Sequence, residues 1–229
     1  AAIPMTVAMT APSSYVHHVS GREAEATLMR GFTTIRDVGG PTQGLKLAVD
    51  QGLLKGPRIY PSGAMISQTG GHGDFRMPHE IVDACCSSPA LVEKEGIAMI
   101  ADGPDAVRQR VREQLALGAA QIKLMAGGGV SSLYDPLDVT QYSPEEFRVA
   151  VEAAENWGTY VTVHAYTPRA IRFAIENGVK CIEHGQLADE EVVKLMAAKG
   201  VWWSLQPFLD DELANPKTGE SRKKQRLVA

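Results

Sequence analysis

One pattern occurs six times along this chain. A helical stretch ends at a glycine, and a short run rich in β-branched and aromatic residues follows at once. A glycine directly after a helix is typical of a helix end, because only glycine enters the left-handed backbone region at low cost. One helix start is also explicit, because Ser143–Glu146 (SPEE) combines a Ser cap, a Pro at the first position and a Glu at the third. The six runs are Phe32–Asp37, Pro57–Ser62, Ala119–Leu124, Thr159–His164, Val179–His184 and Val201–Gln206.

Helices that alternate with strands in this way predict an α/β fold with a parallel sheet. The sheet is either doubly wound or closed as a TIM (β/α)8 barrel. We favour the barrel, because polar side chains follow the carboxyl ends of successive runs and no run leads into a glycine-rich dinucleotide loop. Residues 1–229 are expected to form a single domain. Residues 61–103 interrupt the alternation of helices and strands and are interpreted as a long active-site loop.

Composition excludes several classes of protein. The net charge of -4 and the pI of about 5.9 indicate no basic face for nucleic acid, and the cluster Arg222–Arg226 is interpreted as a solvated helix face. No apolar run is long enough to cross a membrane, and the first residues lack the basic segment of a signal peptide. Three cysteines, including the adjacent Cys85 and Cys86, are too few for a disulfide framework. We therefore expect a cytoplasmic homo-oligomer that acts on a small molecule, with no nucleic-acid or membrane partner.

The run Gln121–Gly129 (QIKLMAGGG) places a lysine in the middle of an apolar strand. An unpaired ammonium group is costly in an apolar interior, so Lys123 requires a special environment. One interpretation is a lysine at the edge of the core that pairs with Asp37 or Glu183. The other is a functional lysine, because a buried lysine beside histidines can be carboxylated on Nζ by carbon dioxide. The resulting carbamate can bridge two divalent metal ions as a carboxylate would.

Two histidines, His164 and His184, end the fourth and fifth runs. Neutral imidazole is a common zinc ligand. A single strand histidine is more often an ordinary core residue, but two of them one βα unit apart favour a site. Because the carboxyl ends of parallel strands meet at one edge of a sheet, we expect Lys123 and both histidines to converge.

Two further residues are candidates for substrate contacts. His72 lies in the glycine-rich segment Gly70–Gly73, where it can donate a hydrogen bond to an anion or a carbonyl, unless this segment is simply an exposed loop. Tyr166 follows His164 and is expected either to donate a hydrogen bond to a substrate or to close the barrel mouth. Arg76 is a weaker candidate for pairing with a substrate carboxylate.

Taken together, these stretches resemble the amidohydrolase superfamily. The resemblance is strongest to its imidazolonepropionase-like branch, which includes metal-dependent Xaa-Pro dipeptidases and arginine carboxypeptidases. It implies a (β/α)8 barrel with two zinc ions per complete active site. Other divalent metals are alternatives to zinc. It also implies that the six runs are strands two to seven of the barrel. The motifs that carry it lie between about Gly21 and Gln206, namely Gly31–Asp37 (GFTTIRD), Ser67–His72 (SQTGGH), Gln121–Gly129, His164–Tyr166 (HAY) and Ile182–Gly185 (IEHG).

The resemblance also implies roles for single residues. Lys123 matches the carboxylated catalytic lysine that bridges the metals, and His164 and His184 match the metal ligands of strands five and six. His72 matches a loop histidine that contacts the scissile group, which makes it both catalytic and substrate-binding. Tyr166 matches a residue near the substrate carboxylate.

Three parts of the family pattern are missing from this sequence. The family begins with a strand that bears His-x-His and ends with a strand that bears a catalytic Asp, and a small β-domain flanks the barrel. Here His17 and His18 precede the first run, but they are adjacent and do not form His-x-His. We therefore expect an incomplete barrel, part of a longer protein, whose activity requires residues outside this chain.

The implied function is cleavage of a C-terminal peptide or N-acyl amino-acid amide bond by a metal-bound hydroxide, as in a dipeptidase or a carboxypeptidase. Trp202, Trp203 and Phe208 near the expected mouth favour a bulky or aromatic group, so an ochratoxinase-like aryl amide hydrolase is one alternative. A catalytically incomplete barrel fragment that serves as a scaffold is a second. A lyase or aldolase that uses Lys123 to form a Schiff base is a third.

Overall fold

The computed structural model describes residues 5–82, 89–132, 134–205 and 217–229, which form eight strands and ten helices. None of the helices in these ranges combines the length and the apolar character that a bilayer crossing requires. The strands are β1 (Thr34–Asp37), β2 (Arg58–Pro61), β3 (Met65–Ser67), β4 (Ala98–Ile100), β5 (Ile122–Met125), β6 (Val161–Ala165), β7 (Cys181–His184) and β8 (Trp202–Ser204). The helices are α1 (Met5–Thr10), α2 (Ser13–Met29), α3 (Gln43–Asp50), α4 (Pro78–Val82), α5 (Leu91–Lys94), α6 (Pro104–Ala116), α7 (Pro144–Asn156), α8 (Pro168–Glu176), α9 (Glu190–Lys199) and α10 (Gly219–Val228).

All paired strands run parallel, which confirms the predicted α/β class. β1 and β2 form a two-stranded sheet, and the other strands form a six-stranded sheet in the order β4-β3-β5-β6-β7-β8. In the larger sheet Lys123 lies opposite Thr162, and Thr162 lies opposite Cys181. A strand lies in each of the six runs singled out in the sequence. Their assignment to barrel strands two to seven stays a prediction.

One face of the six-stranded sheet is apolar and packs against helices α6 to α9. Leu124, Val163 and Ile182 are fully buried there together with Phe147 of α7. Burial of a side chain of this size contributes about 1.5–3 kcal/mol, so the apolar residues determine which face each strand turns to the helices. Because side chains alternate along a strand, the intervening residues point to the opposite face. In β5 to β7 most of those residues are polar, namely Lys123, Thr162, His164, Cys181 and Glu183, whereas Met125 is apolar.

The start of α7 confirms the signal in the sequence. The Ser143 hydroxyl accepts a hydrogen bond from the Glu146 N–H at 3.3 Å, and the Glu146 Oε2 accepts one from the Ser143 N–H at 2.7 Å. The second oxygen of Glu146 accepts from the Gly103 N–H at 2.6 Å, directly before α6. One carboxylate therefore fixes the first turn of α7 and the position of the residue before α6.

The prediction that residues 61–103 lack regular structure is wrong for the described part of this segment, which contains β3, α4, α5 and β4. Each of the two strands is only three residues long, too short to show a periodic pattern in the sequence. They form because Ile66 and Ala98 are fully buried and because β3 pairs with both β4 and β5. Cys85 and Cys86 lie outside the described residues. A role of the segment as an active-site loop stays a prediction.

The two sheets meet at the amino end of β5. The side-chain amide of Gln121, just before β5, donates to the carbonyl of Asp37 at 3.1 Å and to that of Tyr60 at 2.9 Å. The Ala120 N–H donates to the Pro61 carbonyl at 2.7 Å. The carboxyl ends of β1 and β2 are therefore joined to the larger sheet by hydrogen bonds. Closure of the sheets into a complete ring stays a prediction.

Candidate active site

Four aromatic rings from three separate segments form one cluster at the carboxyl ends of β6 and β7. The rings of His72 and His164 stack, with 3.9 Å between their centroids and 26° between their planes. The His184 ring lies 4.7 Å from that of His164. The Tyr166 ring lies 4.7 Å from His164 and 5.4 Å from His184. The structure thus brings together four of the ring-bearing residues that the sequence singled out, namely His72, His164, Tyr166 and His184.

His184 reaches this cluster because its backbone leaves the strand conformation. Strict alternation would place His184 beside Ala165, on the face that packs against the helices. Its φ of 77° lies in the left-handed region, which is strained by about 1–3 kcal/mol for a residue other than glycine. The Trp203 indole N–H donates to the His184 carbonyl at 2.8 Å, and the Gly185 N–H donates to the Ala165 carbonyl at 2.9 Å. These bonds hold the turn that redirects the imidazole.

The proton of His164 can be placed from its hydrogen bond. Its Nε2 lies 3.0 Å from the Gly128 carbonyl, and a carbonyl can only accept. Nε2 therefore carries the hydrogen and Nδ1 carries the lone pair. Burial lowers the pKa of His164, and the neighbouring His72, His184 and Lys123 lower it further. The ring is therefore neutral at physiological pH.

His72 is held against the glycines that follow β5. A β-carbon on Gly129 would lie 1.8 Å from the His72 Cε1, so the ring rests directly on that glycine. The His72 N–H donates to the Gln141 side-chain oxygen at 3.2 Å. Its Nδ1 is buried and has no hydrogen-bond partner among the described residues. Burial, together with the charges of His184 and Lys123, lowers the pKa of His72 to about 3.

Lys123 is almost completely buried, and it lies one step deeper in the sheet than His164. Met125, rather than Lys123, lies opposite His164 in the β-sheet register. Burial lowers the pKa of Lys123 to about 8, although the carboxylate of Glu183 acts in the opposite direction. The Lys123 charge in turn lowers the pKa values of His72 and His164. Lys123 thus shares the polar face with the histidines and acts on them through its charge.

Glu183 forms its ion pair with Arg36 of β1, at 2.9 Å, and not with Lys123 within the described part of the chain. The Thr162 hydroxyl donates to the same carboxylate oxygen at 2.6 Å. Burial favours the neutral form of Glu183, but Lys123, Thr162, Ser204 and Arg36 together lower its pKa to about 2. Lys123 and Glu183 therefore interact through their charges, without a direct ion pair between them in the described part of the chain.

The remaining candidates are engaged elsewhere. The Asp37 carboxylate accepts from the Gly39 N–H at 3.1 Å, within the turn after β1. Arg76 binds Asp74 with two nitrogens, at 2.8 and 2.7 Å, so the weaker hypothesis of a substrate contact finds no support here. Trp203 contacts the cluster through the His184 carbonyl. Phe208 lies outside the described residues.

The comparison with known families decides what kind of protein carries this cluster. The model of the amidohydrolase family matches residues 3–222. The chain belongs to the amidohydrolase family. This confirms the resemblance that the sequence motifs carried.

Relatives of this chain include proteins named ochratoxinase and prolidase. The chain is 40% identical to ochratoxinase of Aspergillus niger over 181 residues, which cover 76% of this chain and 37% of that protein. The structure of a prolidase complexed with N-methylphosphonate-L-proline matches with a TM-score of 0.87 and 43% identity, covering 97% of this chain and 55% of that one. The structure of A. niger ochratoxinase matches with a TM-score of 0.85 and 34% identity, covering 98% and 53%. The chain thus spans about half, or less, of the length of these relatives.

The donors of this amidohydrolase fit part of a metal site. Within the described residues, no three His, Cys, Asp or Glu side chains are grouped so as to hold a metal ion. His164 nevertheless has the arrangement of a ligand, since ligating histidines typically donate the other ring N–H to a carbonyl or a carboxylate. The buried Nδ1 of His72 also lacks a protein partner in the described chain. The arrangement of His164 is thus compatible with that of a metal ligand.

Three residues near the cluster were missed in the sequence. Gln141 and Asp135 are buried polar residues behind the glycines, and Lys224 reaches the Asp135 carbonyl from α10. Lys224 and the buried Gln225 correct the interpretation of Arg222–Arg226 as a wholly solvated face. The signal was weak, because a helix with four cations among five residues resembles any exposed helix.

Proposed function

We propose that the protein containing this chain is a metal-dependent amidohydrolase that cleaves a C-terminal peptide bond or an N-acyl amino-acid amide bond. Membership in the amidohydrolase family supports hydrolysis of an amide. The relatives named prolidase and ochratoxinase support an amide with an amino acid on the leaving side. The observation that carries the proposal is the cluster of three imidazoles and one phenol above a buried lysine.

His72 and Tyr166 would bind the substrate in fixed protonation states. Because its pKa is about 3, the His72 ring stays neutral near pH 7 and acts as a hydrogen-bond donor to the scissile carbonyl rather than as a proton carrier. Burial raises the pKa of Tyr166, so its phenol keeps its proton and can donate to a substrate carboxylate. Both residues therefore favour an anionic substrate with an adjacent carbonyl group.

His164 and His184 would bind divalent metal ions, and Lys123 would bridge them after carboxylation on Nζ. Divalent metals, zinc being the first expectation, would lower the pKa of a water molecule at this site toward about 7. Carbon dioxide reacts with a neutral amine, and the lowered pKa of about 8 leaves a larger fraction of Lys123 neutral at pH 7 than an exposed lysine has. The carboxyl group would then replace a buried cation by an anion suited to metal binding.

The decisive experiment compares Lys123→Ala with Lys199→Ala in the full-length protein. Lys199 is an exposed lysine at the end of α9 and serves as the matched control. We expect the wild type and the control to bind zinc and to release the amino acid from N-acetyl-L-phenylalanine or N-acetyl-L-proline. Lys123→Ala should bind no zinc, as measured by elemental analysis, and it should no longer hydrolyse either substrate. Full activity in that variant would end the proposal.

An aryl amide hydrolase is a second candidate. Two observations favour it, namely the identity to ochratoxinase and the half-exposed Trp203, which hydrogen-bonds the carbonyl of His184 beside the cluster. The kcat/KM values for N-benzoyl-L-phenylalanine and for N-acetyl-L-proline separate the two. A preference for the first that falls in Trp203→Leu would support the aryl amide. A preference for the second would support a prolidase-type dipeptidase.

Two of the alternatives raised by the sequence are tested by the same protein sample. A scaffold without catalysis predicts no stoichiometric metal in the purified full-length protein. A Schiff-base enzyme predicts that borohydride and a carbonyl substrate trap an adduct on Lys123, since a lysine with a lowered pKa is also a better nucleophile. The nearby imidazoles favour the metal-dependent hydrolase over both.

A further inference from the structure

Helix α10 contacts the carbonyl groups behind the histidine cluster through one lysine. The Lys224 Nζ donates to the Gly129 carbonyl at 3.2 Å and to the Asp135 carbonyl at 2.6 Å. The side chain is partly buried, unlike that of its neighbour Lys223, which is exposed and pairs with Glu220. Hydrogen bonds from a charged donor are about twice as strong as neutral ones. Lys224 therefore joins two points of the connection after β5.

The buried carboxylate of Asp135 binds the backbone N–H of the same glycine, Gly129. Asp135 is 5% exposed, and its Oδ2 accepts from the Gly129 N–H at 2.9 Å. Gln141 lies within 3.5 Å of the same oxygen and also donates to the Gly127 carbonyl at 3.0 Å. The N–H of Gly129 is thus fixed by Asp135, and its carbonyl is fixed by Lys224 together with the Ser132 hydroxyl, which donates at 3.0 Å.

Gly129 is the residue on which the His72 ring rests. The contact is so close that a β-carbon at this position would overlap the ring. Gln141, which is bonded to the Asp135 carboxylate, also accepts the hydrogen bond from the His72 backbone N–H. A displacement of Gly129 would therefore reach His72 by two routes, one through the ring contact and one through Gln141.

The apolar side of α10 docks at the same place. Val228 forms a small buried cluster with Val130, which follows Gly129, and with Tyr166 of the ring cluster. The helix is thus anchored by apolar contacts at its end and by Lys224 in its middle. Because apolar contacts hold α10 in place, Lys224 reaches the Gly129 carbonyl from a fixed helix.

We propose that Lys224 is a positioning residue, which fixes Gly129 from α10 and thereby holds the His72 ring in the orientation that substrate binding requires. The inference rests on the role proposed above for His72. It assigns a function to a helix outside the strand ends that carry the other candidate residues.

The test compares Lys224→Met, Lys224→Arg and the control Lys223→Met in the full-length, metal-loaded protein. The first readout is modification of histidines by diethyl pyrocarbonate, followed by peptide mass spectrometry. The exposed His17, His18 and His79 serve as internal references. We expect Lys224→Met to raise the modification rate of His72 by about tenfold, as loss of a charge-assisted hydrogen bond implies, with unchanged rates at the references. Lys224→Arg should restore the slow rate, and the Lys223 control should equal the wild type.

The second readout is the kinetics of amide hydrolysis. A misplaced hydrogen-bond donor lowers kcat more than it raises KM, so we expect kcat in Lys224→Met to fall by about tenfold with KM within about twofold. If Lys224→Met does not fold, Lys224→Gln is measured instead. An unchanged His72 rate in the folded variant, or an equal rise at all histidines, would overturn the proposal. If the wild type hydrolyses no amide, the proposed function fails while the modification rates still decide the role of Lys224.

Discussion

The imidazole of His72 occupies the space where a β-carbon of residue 129 would lie. The two glycines before it are equally constrained, since a β-carbon on Gly128 would lie 1.8 Å from the Pro136 carbonyl oxygen and one on Gly127 2.9 Å from the Ala170 β-carbon. None of the three has a φ in the left-handed region. These glycines are therefore required by close packing rather than by backbone conformation.

Replacement of Gly129 by Ala should consequently displace His72. We expect kcat/KM for the amide substrate to fall by about 100-fold, since a shift of about 1 Å at a catalytic group has an effect of this size. The free energy of unfolding should fall by about 1–3 kcal/mol through overpacking. Steady-state kinetics and urea denaturation measure the two effects.

Gly44→Ala is the matched control for that substitution. Gly44 lies in α3, and no atom lies within 4 Å of its added β-carbon. This variant should keep its activity and gain up to about 1 kcal/mol of stability, because alanine favours the helix. Equal activity in Gly129→Ala and Gly44→Ala would show that His72 takes no part in the reaction.

Among the helices, α7 and α10 differ in how their first turns are satisfied. The Ser143 hydroxyl caps α7, whereas the Thr218 side chain makes no cap hydrogen bond in α10. Ser143→Ala should lower the free energy of unfolding by about 1 kcal/mol, and Thr218→Ala should leave it nearly unchanged. Urea denaturation of both variants checks this. A loss of the same size at Thr218 would contradict the cap as the cause.

The elements also show how far the sequence alone could lead. The Ser143 cap and the strands with a buried apolar face follow from local rules, so both could be predicted. His184 could be assigned to the site only from its position at a strand end, since nothing in the sequence announces a left-handed residue there. Lys224 could not be found, because its partners are two carbonyl groups nearly a hundred positions earlier in the chain. A hydrogen bond to a backbone carbonyl does not depend on which residue type carries that carbonyl, so the sequence gives no sign of it.

At the scale of the whole molecule, Arg36 joins the two sheets. It belongs to β1 of the small sheet, and its partner Glu183 belongs to β7 of the large one. The carboxylate is nearly buried, so removal of Arg36 would leave it with the Lys123 charge and the Thr162 hydrogen bond but without its ion-pair partner. The ion pair and the Gln121 amide together make both sheets one structural unit.

A double-mutant cycle with Arg36→Met and Glu183→Gln tests this connection. We expect a coupling energy of about 0.5–3 kcal/mol in urea denaturation, toward the upper end for a buried pair. The exposed pair Glu190 and Lys194 within α9 is the control and should couple by less than about 0.5 kcal/mol. A coupling at Arg36 and Glu183 no larger than in the control would mean that the two sheets are held together by other contacts.

The environment of Glu183, in which Lys123, Thr162, Ser204 and Arg36 all lower its pKa, also predicts how stability depends on pH. The folded protein lowers the pKa of Glu183 from 4.5 to about 2, so folding favours its ionised form. This contribution, about 3 kcal/mol, is complete above pH 4.5 and is lost as the pH falls toward 2. The difference in unfolding free energy between the wild type and Glu183→Gln should therefore be constant from about pH 7 to 5 and shrink at about pH 4 and 3. The exposed Glu155, replaced by Gln, should show no such change. A difference that grew on acidification would have the wrong sign and would show that Glu183 is protonated in the folded protein.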